Sequence, residues 1–321
     1  MSDSVLDIEK AKKKFTLVEL ERLFDAPRDI LRFVTAVDDV SLSVPRGKVY
    51  GFLGPNGAGK TTTIKMCMDL IRPTAGTVRI FGKDPRDPTV RARLGYLPEQ
   101  PYFYDYLKPQ EILDFFGRLF GLSRAERKKR TDTLLERVGL SEARNRSLRK
   151  FSKGMLQRLG IAQALINEPE LLVLDEPFSG LDPMGRKEMR DIIIEQRNKG
   201  TTLFFSSHIL SDIEHLCDRV AIVSKGRVVK EGVLDELLSP EQKRSELLVG
   251  GVGPELRQML AELHLTLTDV GATASRFVVD DSRVGAVLGV VLKNGGQVLS
   301  MQPHRDSLEA LFLREAGGGA L

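Results

Sequence analysis

The sequence predicts an α/β fold: a mainly parallel sheet interleaved with helices, preceded by an antiparallel edge hairpin, interrupted by a helical subdomain and followed by a small α+β domain. Three observations predict it. A glycine-rich run, Gly54-Pro55-Asn56-Gly57-Ala58-Gly59-Lys60-Thr61, lies between the apolar stretch Val49 to Leu53 and the helix-periodic stretch Thr62 to Leu70, which is the setting of a phosphate-binding loop between a strand and a helix. A continuous apolar run, Leu171 to Leu174, ends in Asp175-Glu176, as a parallel strand buried on both faces would. Beyond Gly232 the character changes to short strands and helices after a polar linker.

Each element follows from local pattern. Residues 1–14 are polar and carry Lys12-Lys13-Lys14, which marks them as a frayed start. Thr16 to Phe24 alternates loosely, a Pro- and charge-bearing loop at Asp25 to Phe33 interrupts it, and Ala36 to Val44 resumes, giving the hairpin. Val78 to Phe81 is a short strand, after which Gly82, Asp84-Pro85 and Asp87-Pro88 impose turns. A strand at Leu94 to Leu97 leads to Pro98-Glu99-Gln100. The next stretch, about 98–168, is mostly helical. Pro109 opens a helix with Phe115, Phe116, Leu119 and Phe120 at helical spacing, stopped by Gly121; Ser123 caps a basic helix to Val138, closed by Gly139; a third helix after Ser152 ends before Pro169. Asp182 and Pro183 make the cap and first turn of a helix to Asn198, with Gly200 as its stop. Thr201 to Phe205 is a buried strand, Ile209 to Cys217 a helix, and Val220 to Val223 pairs with Arg227 to Val229 around Lys225-Gly226. The linker 239–244 separates residues 1–238 from 245–321. In the second part, strand Leu247 to Val249, helix Pro254 to Leu263, strands Leu265 to Asp269 and Arg276 to Val279, helix Ser282 to Lys293 and strand Gln297 to Met301 follow in turn. That β-α-β-β-α-β order is that of a ferredoxin-like module, closed by the amphipathic helix Ser307 to Arg314.

Bulk properties limit the function. The 321 residues are 41% hydrophobic and 29% charged, enough for one large α/β domain and a smaller companion. A net charge of +4, with basic and acidic residues interspersed, makes no demand for nucleic acid, and none is expected as a partner. The stretch Arg124 to Arg130 reads as a solvated helix face. Cys67 and Cys217 lack partner spacing and read as buried or semi-buried thiols in a reducing compartment, not as a disulfide or metal site. The start at Met1 has no apolar signal core, and the apolar run Val284 to Leu292 is far short of the ~20 residues that span a bilayer. A membrane role must therefore come through a partner chain.

The chemistry is carried by two segments. In the first, glycines let the backbone turn so that successive N–H groups converge on a phosphate at a helix N-terminus, Lys60 adds a mobile positive charge, and Thr61 offers a hydroxyl to Mg2+. In the second, a buried strand delivers two carboxylates at its C-terminal edge, where ligands collect in open parallel sheets. Asp175 is suited to hold Mg2+, directly or through water, and Glu176 to take the proton of an attacking water. Together they predict nucleotide hydrolysis.

Phe151-Ser152-Lys153-Gly154-Met155, with Gln157-Arg158 following, lies upstream of Asp175-Glu176-Pro177-Phe178-Ser179-Gly180-Leu181-Asp182-Pro183. This arrangement resembles the ATP-binding-cassette transporter ATPases, over about residues 20–235. The resemblance implies a P-loop NTPase cassette that uses ATP and Mg2+. It also implies a head-to-tail homodimer, in which the nucleotide held by Gly54, Pro55, Asn56, Gly57, Ala58, Gly59, Lys60, Thr61 and Thr62 of one copy is enclosed by Ser152 and Gly154 of the other. Lys153 and Met155 depart from the commonest form of the signature, and the Ser-Lys-Gly-Met version resembles exporter ATPases encoded apart from their membrane subunit. The expectation is a cytoplasmic protein, peripheral on the membrane through its partner. The rival readings are a cassette working on ribosomes or DNA, and a non-hydrolysing regulatory module.

Further positions are implied by the same resemblance. His208 resembles a switch histidine at the terminal phosphate, with a cap or core histidine as the alternative. Asp182 resembles the residue that couples the two sites of the dimer and reads equally well as a helix cap. Phe24 resembles the aromatic that stacks on adenine, Phe33 is its rival, and either also reads as core. Glu99 stands where the family usually has a glutamine reaching Mg2+ and the attacking water; its position is implied and its role left open. Tyr102, Phe103, Tyr104 and Tyr106 suit a groove filled by a partner, which in the family is a short cytoplasmic helix of the membrane subunit; the alternative is an aromatic edge of the helical subdomain.

Overall fold

The first strand sets in at Ser4, inside the stretch expected to fray. In the computed structural model, which describes residues 3–17, 32–239, 244–270, 274–303 and 307–316, β1 (Ser4–Leu17) pairs antiparallel with β2 (Arg32–Pro45). Val5, Leu6, Ile8 and Ala11 are buried. Register shifts on either side of Ala11, together with Lys10 at φ +48°, break the two-residue alternation that marks a half-buried strand. The three lysines do not fray either: Lys12 pairs with Asp38 at 3.2 Å, Lys13 donates to the Arg72 carbonyl at 2.8 Å and the Lys14 N–H donates to Thr74 Oγ1 at 3.1 Å. Of the strand expected at Thr16 to Phe24, only Thr16 and Leu17 are found in β1; the remainder lies outside the described residues. β3 (Val49–Leu53) leaves the hairpin, α1 (Lys60–Cys67) follows, and β4 (Ala75–Ile80) returns to the free side of β1. The hairpin is thus part of a separate three-stranded sheet, β2-β1-β4, and not an edge of the main sheet.

The main sheet is built from the segments that alternate with helices. After α2 (Pro88–Arg91) and β5 (Leu94–Leu97) come the subdomain helices α3 (Pro109–Leu119), α4 (Arg124–Arg137) and α5 (Lys153–Ala164). α4 starts at a capping box: the Glu126 N–H donates to Ser123 Oγ at 3.3 Å and the Ser123 N–H to the Glu126 carboxylate at 2.9 Å. Its basic side is only partly solvated, since Arg127 binds Asp114 at 2.6 Å and Arg130 binds the Ile166 carbonyl at 2.9 Å. Then follow β6 (Leu171–Asp175), α6 (Pro183–Asn198), β7 (Thr202–Ser207), α7 (Leu210–Leu216), β8 (Arg219–Ser224), β9 (Arg227–Val233) and the short α8 (Leu234–Leu237). The strand order is β5-β6-β7-β3-β8-β9, parallel except for the β8–β9 pair. Every residue of β3, β6 and β7 is buried, which explains why these strands read as apolar runs. Cys67 is buried too, and burial pushes its thiol up to about 12.

Register decides where the chemistry sits. Leu53 lies beside Ser207 and Asp175 beside Ser206, so β3, β6 and β7 all end at one edge of the sheet.

The chain falls into two compact units, Met1–Leu234 with Phe312–Leu321, and Asp235–Leu311. The second contains β10 (Arg244–Gly250), α9 (Pro254–Glu262), β11 (Thr268–Val270), β12 (Ala274–Asp280), α10 (Val284–Lys293) and β13 (Gln297–Pro303). Its sheet has the order β11-β12-β10-β13, every pair antiparallel, as the β-α-β-β-α-β sequence order requires. Leu247, Val249, Leu256, Phe277, Val279 and Val291 form its core. The last helix is α11 (Leu308–Ala316). Linker residues 240–243 lie outside the described residues.

Candidate functional site

The loop between β3 and α1 is shaped by close approach. A side chain at Gly54 would place its Cβ 2.5 Å from the Val223 carbonyl oxygen; Gly59, at φ +97°, would place one 2.4 Å from that of Ala36. Neither position accepts another residue without moving backbone. Asn56 and Gly57 are exposed at the tip, Ala58 is buried beneath it, and Thr62 is half-buried in the first turn of α1. Lys60 lies back across the loop, donating to the carbonyls of Gly54 at 2.7 Å and Pro55 at 3.2 Å.

The two carboxylates at the end of β6 are held from three directions. Thr61 Oγ1 donates to Asp175 Oδ1 at 3.2 Å, and Ser206 Oγ donates to the same oxygen at 2.6 Å. The Glu176 N–H donates to Ser206 Oγ at 2.9 Å. Its carboxylate meets Lys60 Nζ through Oε1 at 3.2 Å and His208 Nδ1 through Oε2 at 2.8 Å. Glu176 itself is in the left-handed region at φ +47°, a conformation that costs a non-glycine residue on the order of 1–3 kcal/mol and persists only where the surroundings enforce it. Burial pushes Asp175 above the usual carboxylate range; the Ser206 and Thr61 hydroxyls oppose this, and the charges of Glu99 and Glu176 reinforce it. Burial, with the charge of Asp175, raises Tyr96 to about 12.

This arrangement presents hard oxygen donors, the Thr61 hydroxyl and the Asp175 carboxylate, side by side with half-buried Glu99 close enough to act on Asp175. Such a donor set suits Mg2+, which takes one or two carboxylates, retains waters and accepts phosphate oxygens. Beside it stands a carboxylate gripped by a histidine and a lysine. The arrangement can hold a nucleotide's phosphates and metal and accept a proton from water.

Other expected positions lie apart from this cluster. Ser152 caps α5, its Oγ accepting the Met155 N–H at 3.2 Å, and it is exposed. A Cβ on Gly154 would meet nothing nearer than Leu181 Cδ2 at 3.6 Å, an ordinary contact, so packing within this chain does not require glycine there. The buried Gln157 donates to the Pro177 carbonyl at 3.2 Å and ties α5 to the segment after Glu176. Asp182 caps α6, accepting the Gly185 N–H at 2.8 Å. Replacing Asp182 with alanine is expected to lower stability by about 1 kcal/mol, read from the urea midpoint. Among the described residues, no hydrogen bond or ion pair joins Ser152, Gly154 or Asp182 to the phosphate loop. Tyr102, Tyr104 and Tyr106 are exposed, 88%, 61% and 69%, so they do not form the edge of a core; Phe103 is half-buried.

Two residues escaped the sequence reading. Phe24 and the side chain of Phe33 lie outside what the structure describes, but Phe15 is partly exposed on β1, across from the part of β2 that leads to the loop. It pairs opposite Val34, two residues along β2 from Ala36, whose carbonyl abuts Gly59; at the strand rise this is about 7 Å. Phe15 was hidden because it follows the lysine run that suggested fraying. Ser206 was hidden because a small residue at the end of an apolar strand reads as packing.

Residues 37–179 match the ABC transporter family. The chain is 41% identical over 284 residues to an ABC transporter ATP-binding protein of Synechocystis sp., covering 88% of this chain and 78% of that one. It is 39% identical over 292 residues to the bacitracin transport ATP-binding protein of Bacillus licheniformis, covering 89% and 94%. Among solved structures, the dimeric post-hydrolysis form of the ATP-binding cassette MJ0796, bound to ADP and Pi, superposes with a TM-score of 0.63 at 22% identity, over 71% of this chain and 98% of that one.

Proposed function

This chain belongs to the ABC transporter family and is the ATP-hydrolysing subunit of such a transporter, and we propose that it powers export through separately encoded membrane subunits, working as a head-to-tail homodimer. The observation that carries the hydrolytic part is the meeting of Lys60, at the start of α1, with Glu176 and His208 at the ends of the adjacent parallel strands β6 and β7. In this reading the loop residues Gly54 to Thr62 hold the phosphates of ATP. Thr61 and Asp175, with Glu99 beside them, hold Mg2+, which neutralises phosphate charge when bound. Glu176 takes the proton of the attacking water, and His208 orients Glu176 and faces the terminal phosphate. Ser152 and Gly154 come from the second copy. Three observations support the dimer: the dimeric form of the related cassette, the exposed cap at Ser152, and a glycine at 154 that this chain's own packing does not need.

Export is supported by the Ser-Lys-Gly-Met signature and by the bacitracin transport relative. No helix among the described residues is long and apolar enough to cross a membrane, so the path for substrate belongs to a partner, at the cytoplasmic face. The exposed Tyr102, Tyr104 and Tyr106 with Phe103 are the surface we assign to it. We assign residues 1–238 to the cassette, 239–244 to the linker and 245–321 to an accessory domain, whose compact unit ends at Leu311. Purification of the full chain from its own membranes in mild detergent tests this reading: a multi-span apolar protein is the expected companion, and recovery with RNA or DNA instead overturns it.

Phe15 is the aromatic we assign to adenine. Phe15→Ala is expected to weaken ATP binding about tenfold, since base-on-ring stacking contributes ~1–3 kcal/mol, whereas Phe15→Tyr retains it. An unchanged dissociation constant in equilibrium binding would remove Phe15 from the site.

A further inference from the structure

Ser206 lies on β7 two residues before His208, its side chain wholly buried. The hydroxyl uses both of its capacities inside the site: it donates to Asp175 Oδ1 at 2.6 Å and accepts the Glu176 N–H at 2.9 Å. The bond to Asp175 is short, as expected when a hydroxyl donates to a carboxylate. The bond from Glu176 falls on the peptide of the one non-glycine site residue held in a left-handed conformation, φ +47°. His208 grips the side chain of the same glutamate at 2.8 Å. The end of β7 therefore holds Glu176 twice, by its backbone through Ser206 and by its carboxylate through His208.

We propose that Ser206 is a positioning residue for ATP hydrolysis: its single buried hydroxyl locks the orientation of Asp175 and the strained peptide of Glu176 together. This rests on the reading of Glu176 as the base. The physical argument is that a carboxylate at φ +47° has no intrinsic reason to stay there. A proton acceptor must also be held within a few tenths of an ångström of its productive place to be effective. The parallel pairing of Asp175 with Ser206 sets the serine beside the first carboxylate, and the tight turn at Glu176 returns the next N–H to it. Apolar β-branched residues fit a buried parallel strand better than serine does, so the hydroxyl accounts for the residue found here. Nucleotide contacts are not invoked: among the described residues, Ser206 has no hydrogen bond to the phosphate loop, which predicts an effect on turnover separate from binding.

The test uses the full chain carrying Ser206→Ala, Ser206→Thr or Ser206→Cys. Ser206→Ala should lower kcat about 10–100-fold, the range seen when an outer group orienting a site carboxylate is removed, with KM for ATP within about twofold and ATP affinity in the absence of added metal unchanged. Ser206→Thr, which keeps the hydroxyl, should recover most of the loss, and Ser206→Cys, a weaker donor of similar shape, should fall between. Amide exchange at Glu176, followed by mass spectrometry on a short peptide, should quicken in Ser206→Ala and not in Ser206→Thr. Turnover of Ser206→Ala within twofold of wild type overturns the proposal, as does equal loss in the alanine and threonine variants with unchanged melting temperature. If the alanine variant does not fold, the order of the cysteine and threonine variants decides. Glu176→Gln measured alongside separates the two readings: full turnover there sinks the base assignment, whereas an inactive Glu176→Gln with an active Ser206→Ala sinks only the positioning role.

Discussion

Glu176→Gln is expected to bind ATP within about threefold of the wild-type affinity while losing a factor on the order of 10^2–10^4 in kcat, the contribution typical of a general base. Glutamine keeps the shape and can still meet His208, but it cannot take a proton from water. Lys60 does not lose its place, because the carbonyls of Gly54 and Pro55 hold it at 2.7 and 3.2 Å independently of Glu176. Removing a negative charge beside Asp175 also makes the cluster less repulsive toward phosphate. ATP should therefore bind and persist, and the variant should accumulate as an ATP-bound dimer in size-exclusion chromatography. For the wild type, turnover per chain should rise with protein concentration, since the groups we assign to the far side of the nucleotide come from another copy. Undiminished hydrolysis by Glu176→Gln would remove it as the base, and concentration-independent turnover would remove the shared site.

Lys60→Ala should act on the other half of the chemistry. It deletes the ammonium that the loop carbonyls hold and that balances Glu176 across 3.2 Å. Charged hydrogen bonds contribute about 1.5–3 kcal/mol each, so ATP affinity is expected to fall about 10–100-fold, with hydrolysis lost at ordinary ATP concentration. Stability should fall as well, by about 1–3 kcal/mol, because a buried acceptor loses its partner while the lysine and glutamate are only 6% and 11% exposed. Lys60→Arg restores the charge but not the compact ammonium that fits the two carbonyls, and should recover stability more than affinity. Isothermal titration with ATP and a thermal melt together check this; an alanine variant that binds ATP within twofold of wild type refutes the role given to Lys60.

Most of the main sheet was legible because its signals are short-range. Strands β3, β6 and β7 are buried on both faces and so read as apolar runs, and the helices between them carry their own caps at Ser123, Ser152 and Asp182. The reach from strand to site was legible for the same reason: in parallel strands, carboxylates and phosphate loops collect at the carboxyl ends. The first strand was not. There the buried set Val5, Leu6, Ile8 and Ala11 is interleaved with charge at irregular spacing, and only the partner strand explains it.

By itself, then, the sequence determined what depends on neighbours along the chain: the phosphate loop, the carboxylate pair at the end of a buried strand, the helix caps and the order of elements in the C-terminal module. The tertiary structure alone decided which side chains from distant segments meet. It brought the Ala36 carbonyl against Gly59, put Lys60 and His208 on opposite oxygens of Glu176, and made Ser206 the hydroxyl that joins the Asp175 carboxylate to the Glu176 N–H. The physical reason is that periodicity and capping are written within one or two turns of the residue they concern. Register between strands more than a hundred residues apart depends instead on the packing of the whole sheet.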